Sequence, residues 1–202
     1  MCNHKKTPEF PASQLEFHFG FGGGRRAGRG FLLWYAWQTL ATSTILRTLE
    51  FLGLGIWLGS DVFLSFVVAP AAFSVLASRD QAGAIVGYSL TRMHILGVVC
   101  GLLVLLFRVL RTRGVAILAS PASIAVLGMI VLTVCSQLAV SPRMAALRAR
   151  MGSIEATSAA SPLLAEFSRL HRVSVSLESG VLLSGFAAFY LLVREIGRSF
   201  SS

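Results

Sequence analysis

Thr48 to Phe73 reads TLEFLGLGIWLGSDVFLSFVVAPAAF, and this stretch decides the fold. The hydrocarbon core of a bilayer, about 30 Å thick, is crossed by about 20 predominantly apolar residues in a helix. The quoted stretch exceeds that length and carries an aspartate, Asp61, near its middle. Three further stretches meet the same requirement: Arg92 to Leu110, Val115 to Val140 and Val173 to Val193. The pattern predicts an all-α integral membrane protein, an antiparallel four-transmembrane-helix bundle with a short interfacial helix.

Composition agrees. Of 202 residues, 54% are hydrophobic and 13% charged, and the mean hydropathy is +0.71. Soluble domains carry about 45–50% apolar and about 25% charged residues. Too little charge is present to cover a soluble surface, which excludes an ordinary cytosolic enzyme, and so much apolar sequence excludes disorder. The net charge of +9 resembles a nucleic-acid signature, but the basic residues lie between apolar runs, where they anchor to lipid headgroups. The expected partner is the lipid bilayer and not nucleic acid. Cys2, Cys100 and Cys135 show neither disulfide nor zinc spacing.

The domain boundary falls near residue 46. Residues 1–45 read as a disordered or interfacial N-terminal tail, and 46–198 as the four-helix domain. Within the tail, Phe31 to Leu46 is too short and too polar to span, and its Trp34, Tyr35 and Trp37 suit the membrane interface. Spans two and three are joined by Arg111-Thr112-Arg113-Gly114, a basic turn in which Gly114 stops the helix, so they form an antiparallel hairpin. Ser78-Arg79-Asp80-Gln81 fits a capping box and predicts a short helix from Ala82 to Ser89. Ser141-Pro142 and Ser161-Pro162 each place a serine cap before a first-turn proline. The first begins an interfacial helix with Met144, Leu147 and Met151 on one face; the second is continuous with span four. Pro70 either kinks span one or helps end it, and Pro121 is a candidate first turn for span three.

Eleven basic residues in the tail, the 108–113 turn and the C-terminus face seven in the other connections. The positive-inside rule then puts both termini in the cytoplasm. Sixteen arginines against two lysines suit a GC-rich bacterial genome, and hence the bacterial inner membrane.

Ionisable groups within a span cost about 2.5–3.5 kcal/mol each on insertion scales, so each needs a reason. Asp61 and Glu178 lie in spans one and four, His94 just inside span two, and His171 just before span four. Arg92 and Arg172 enter the membrane at one level. These residues predict one polar pocket: an ion- or solute-binding site around Asp61 and Glu178, with Arg92 and Arg172 as charge partners. Two alternatives stand beside it: interhelical glue between neutralised groups, and a haem or metal held by His94 and His171. No cofactor is required by the pattern. Gly55-x-x-x-Gly59 and Gly97-x-x-x-Gly101 are small-residue packing faces within the bundle or across a homodimer. The chain carries no Ser-His-Asp arrangement, P-loop or dinucleotide fingerprint, which disfavours a soluble-type enzyme.

LGSDVFLSFVVAPAAF (58–73), Ser141-Pro142 after span three and FSRLHRVS (167–174) leading into span four resemble the transmembrane-protein-205-like family of small four-span proteins. The resemblance covers residues 46 to 195 and implies four helices in a group whose function is largely uncharacterised. More distantly, the layout is similar to copper-resistance membrane proteins and to the haem-binding protoporphyrinogen oxidase of bacteria. In that group histidines in the spans matter, and His94 and His171 are the equivalents here. Together these readings suggest a small transporter with a polar intramembrane pocket and an unknown solute; the alternatives are a haem- or metal-binding membrane redox protein and a ligand-free membrane scaffold.

Overall fold

A computed structural model describes residues 24–199 of the chain, with side chains from 41 to 198. The predicted tail from residue 1 to 23 lies outside the described residues. The chain divides into two compact units, Met1–Ala41 and Thr42–Ser202. The described part of the first is helical; all that follows concerns the second.

Among the described residues there is no strand, and four helices are long and apolar enough to cross a membrane: Ala41–Val75, Arg79–Thr112, Pro121–Met151 and Pro162–Arg198. The chain is an all-α integral membrane bundle. Span one is built from α1 (Gly24–Phe63), a π-helical turn (Leu64–Val68) and α2 (Ala69–Val75). Span two is α3 (Arg79–Thr112). Span three comprises α4 (Pro121–Cys135), a second π turn (Ser136–Val140) and α5 (Ser141–Met151), and span four is α6 (Pro162–Ser199).

Three sequence expectations are corrected here. The capping box is present, with Ser78 Oγ accepting from the Asp80 and Gln81 amides, but the helix it starts runs unbroken into span two. The Arg79 amide at this helix start donates to Glu155, 2.6 Å away on the loop before α6. That loop is fastened by Asp80, which accepts from Ser153 Oγ at 2.6 Å and the Ile154 amide at 2.9 Å.

The second correction concerns Ser141. It is helical rather than a cap, and its amide donates to the Ser136 carbonyl. The expected interfacial helix is therefore an extension of span three. It buries Leu147 and packs on α6. Proline is tolerated there because its ring would collide with the carbonyl four residues back, and that carbonyl, of Leu138, sits in the widened π turn. Span one repeats the device: the Ala69 amide donates to Leu64, and Pro70 follows. Thus Pro70 does not end the helix, which continues to Val75 before Leu76 turns extended.

Third, Arg113 and not Gly114 takes the left-handed conformation that ends α3 (φ 53°), while Gly114 is extended. This conformation costs a side-chain-bearing residue roughly 1–2 kcal/mol. Thr112 Oγ1 holds the turn by donating to the Arg108 and Gly114 carbonyls. The hairpin then re-enters through a 3-10 turn (Val115–Ala119) and a cap by Ser120 before Pro121, so Pro121 does mark the first α-helical turn of span three.

The core sits at mid-depth. Leu54, Trp57, Val104, Val126, Met129 and Val181 are buried together. The Trp57 indole lies on α3 over Gly97 and Gly101, where an added methyl would meet ring atoms at 2.3 Å and 2.5 Å. Gly55 and Gly59 face open space instead. Gly97→Ala is expected to destabilise the detergent-solubilised protein by about 1–3 kcal/mol through overpacking. Gly59→Ala should leave stability unchanged or raise it by about 0.5–1 kcal/mol through helix propensity. Thermal unfolding followed by circular dichroism checks both.

Candidate functional site

Seven residues from Gly101 toward the start of α3, about 10 Å of helix rise, stands His94. It is 2% exposed and bonded through both ring nitrogens. Nδ1 lies 2.9 Å from Gln137 Oε1, and Nε2 is paired with Glu178 Oε1. Because Gln137 presents an oxygen, Nδ1 is the N–H donor to it. One further proton then lies on the axis between Nε2 and the Glu178 carboxylate, held by one or the other.

Each partner reaches this point for a local reason. Gln137 belongs to the π turn of span three. Glu178 lies four residues beyond Ser174, also buried, on one face of α6. Asp61 comes from span one, one turn beyond Trp57, and is 1% exposed. Its charge is felt by both Glu178 and His94. The Asp61 carboxylate interacts with the Ser65 hydroxyl one turn on but makes no well-formed hydrogen bond, and the second oxygen of Glu178 also lacks one. Two buried hydroxyls within a turn of Gln137, Thr133 and Ser136, are unpartnered too. With His94 protonated and both carboxylates ionised, the cluster carries one net negative charge. A buried charge or unpaired polar atom is costly in an apolar medium, so this constellation favours taking up a proton.

Of the residues expected at one pocket, the structure brings together Asp61, Glu178 and His94. It does not bring in the arginines. Arg172 is exposed, and Arg92 is exposed with its guanidinium 5.1 Å from the centroid of the Tyr88 ring. His171 is exposed and stands seven residues from Glu178 along α6, about 10 Å away in helix rise. Among the described residues, no group of three or more His, Cys, Asp or Glu is placed to hold a metal ion. Gln137 escaped the sequence reading, which weighed only ionisable groups. Its signal was an amide inside the apolar run VCSQLAV (134–140).

A second polar layer, also missed, lies about 21 Å from His94 along α3. Arg108 is fully buried. Its Nη2 donates to Glu195 at 2.9 and 3.0 Å and to Ser120 at 2.9 Å, its Nε donates to Ser123 at 2.8 Å, and Nη1 pairs with Glu50 at 3.5 Å. Arg111 forks onto Glu50 at 2.7 and 3.2 Å. Arg108 and Arg111, counted from the sequence as turn charges facing lipid headgroups, are thus matched one for one by Glu50 and Glu195.

The family described as domain of unknown function (DUF4149) matches residues 52–153. The match includes Asp61, His94 and Gln137 but ends before Glu178. No curated protein and no solved structure matched the chain. The chain belongs to the DUF4149 family, which is uncharacterised.

Breaking a buried ion pair leaves an uncompensated charge, at about 3–5 kcal/mol. Arg108→Met is expected to destabilise by that amount. Exposed Arg113→Met should stay within about 0.5 kcal/mol. SDS-induced unfolding of the purified protein separates the two.

Proposed function

We propose that this DUF4149 protein is a small proton-linked membrane transporter whose intramembrane site is the His94–Glu178–Asp61 cluster. One observation carries the reading: a buried imidazole is paired with one carboxylate while a second buried carboxylate, without a well-formed hydrogen bond, lies close enough to interact with both. Ionisable groups facing the interior of a bundle mark ion pathways and proton relays in membrane proteins. Glu178 and His94 exchange the shared proton, Asp61 sets how many protons the cluster holds, and Gln137 fixes the imidazole's orientation.

The resemblance of residues 46–195 to the transmembrane-protein-205-like group fits the same reading. So does a bacterial inner-membrane setting with both termini cytoplasmic, which turns the cluster toward the outer leaflet. Histidine-held haem or metal is the less favoured reading, because His94 would have to release Gln137 or Glu178.

The test is proton uptake into proteoliposomes carrying an internal pH-sensitive dye and driven by a potassium diffusion potential. Wild-type protein is expected to acidify the lumen. Glu178→Gln and Asp61→Asn should fall to the leak of protein-free vesicles while keeping the wild-type circular dichroism spectrum. Uptake at wild-type rate in both variants would sink the proposal. A Soret band in the purified protein, lost in His94→Ala, would replace it with the haem reading.

A further inference from the structure

On the lipid-facing side of the bundle, a groove of about 290 Å³ runs between span one and α3. Its apolar walls are Phe63, Leu64, Val68 and Leu96, and Ser60, Ser89 and Arg92 stand along it. The first π turn forms part of this wall, since Leu64 and Val68 are its end residues.

Arg92 distinguishes this groove from ordinary lipid-facing surface. It sits two residues outward of His94, about 13 Å from the level of Gly101. That places it near the edge of the hydrocarbon core, whose half-thickness is about 15 Å. Among the ion pairs of the described residues, Arg92 has no carboxylate partner. Its guanidinium stacks on Tyr88, one turn further out and 64% exposed. The side chain therefore leans along the groove toward the headgroup region, where long cationic side chains place their charge.

We infer that this groove binds an anionic glycerophospholipid. Its phosphate meets Arg92, with Ser89 as a hydroxyl donor one turn further out, and one acyl chain lies along Phe63, Leu64, Val68 and Leu96. Charge complementarity selects the headgroup, since a guanidinium matches a phosphate through paired donors. Depth selects the occupant: an apolar groove at this level of a bilayer faces lipid and not water. The inference does not rest on the proton reading, because none of these residues belongs to the His94 cluster.

Native mass spectrometry of the full-length protein, released from micelles holding equal amounts of phosphatidylglycerol and phosphatidylcholine, tests it. Wild-type protein is expected to retain the anionic lipid about fivefold over the neutral one, the preference expected from one arginine near an anionic headgroup. Arg92→Gln, which removes the charge, and Leu96→Trp, which fills the groove from an exposed position, should each reduce the ratio to parity. Arg172→Gln, an exposed arginine on α6, should preserve it. An unchanged preference in Arg92→Gln would overturn the inference. So would an unchanged preference in Leu96→Trp, which would reduce the effect to surface charge, or displacement of the lipid by inorganic phosphate alone. Should Arg92→Gln fail to fold, Leu96→Trp decides by itself.

Discussion

The indole of Trp57 resting on Gly97 and Gly101 sets the spacing on which both polar layers depend. Two residues without side chains let α3 approach span one closely enough for a large ring to lie flat between them. From that contact, one turn along span one leads to Asp61 and one turn along α3 leads to His94. Seven residues the other way on each helix lead to Glu50 and Arg108. Close approach at mid-depth therefore brings charged groups together at both ends. Between the ends, Leu54, Val104, Val126, Met129 and Val181 form a dry layer. This layer separates the carboxylate-rich cluster around His94 from the charge-balanced one around Arg108.

The two layers differ in a way that bears on function. Around Arg108, positive and negative charges balance, Ser123 and Ser120 accept from Nε and Nη2, and Nη1 has only its 3.5 Å ion pair with Glu50. Such a network specifies one arrangement and resists change. Around His94, the oxygens of Asp61 and Glu178 are short of hydrogen-bond donors. A group of this kind responds to protons because its lowest-energy state depends on how many it holds.

The fold was legible because the bilayer makes a strong demand on sequence: long apolar runs have few alternatives to spanning. Turn chemistry was legible at Ser78, where a hydroxyl precedes a helix start; at Pro121 the sequence offered the first turn of span three only as a candidate, and the Ser120 cap before it went unread. It misled at Ser141-Pro142, since the same dipeptide can continue a helix when a π turn precedes it, and no local residue pattern announces that turn. At the site, Asp61, Glu178 and His94 were legible through the expense of placing them in lipid. Their actual pairing was not, because helix rotation decides which face of α3 meets α6, and the arginines at similar depth turn outward. Arg108 was hidden for the converse reason. A charge near a span end reads as a headgroup anchor, and only the tertiary arrangement reveals Glu50 and Glu195 waiting across the helix boundary.

The paired π turns have a consequence for how such a chain tolerates change in length. Each holds one residue more than an α-helical turn would, and each has a proline two residues beyond its end. Removing that residue would swing everything beyond it by about 100° around the helix axis. In span three the swing would carry Leu147 off α6; in span one it would turn α2 away from α3, on which it packs. Single-residue deletions in either π turn are thus unlike deletions in a loop: near 64–68 they unseat α2 from α3, and near 136–140 they unseat α5 from α6.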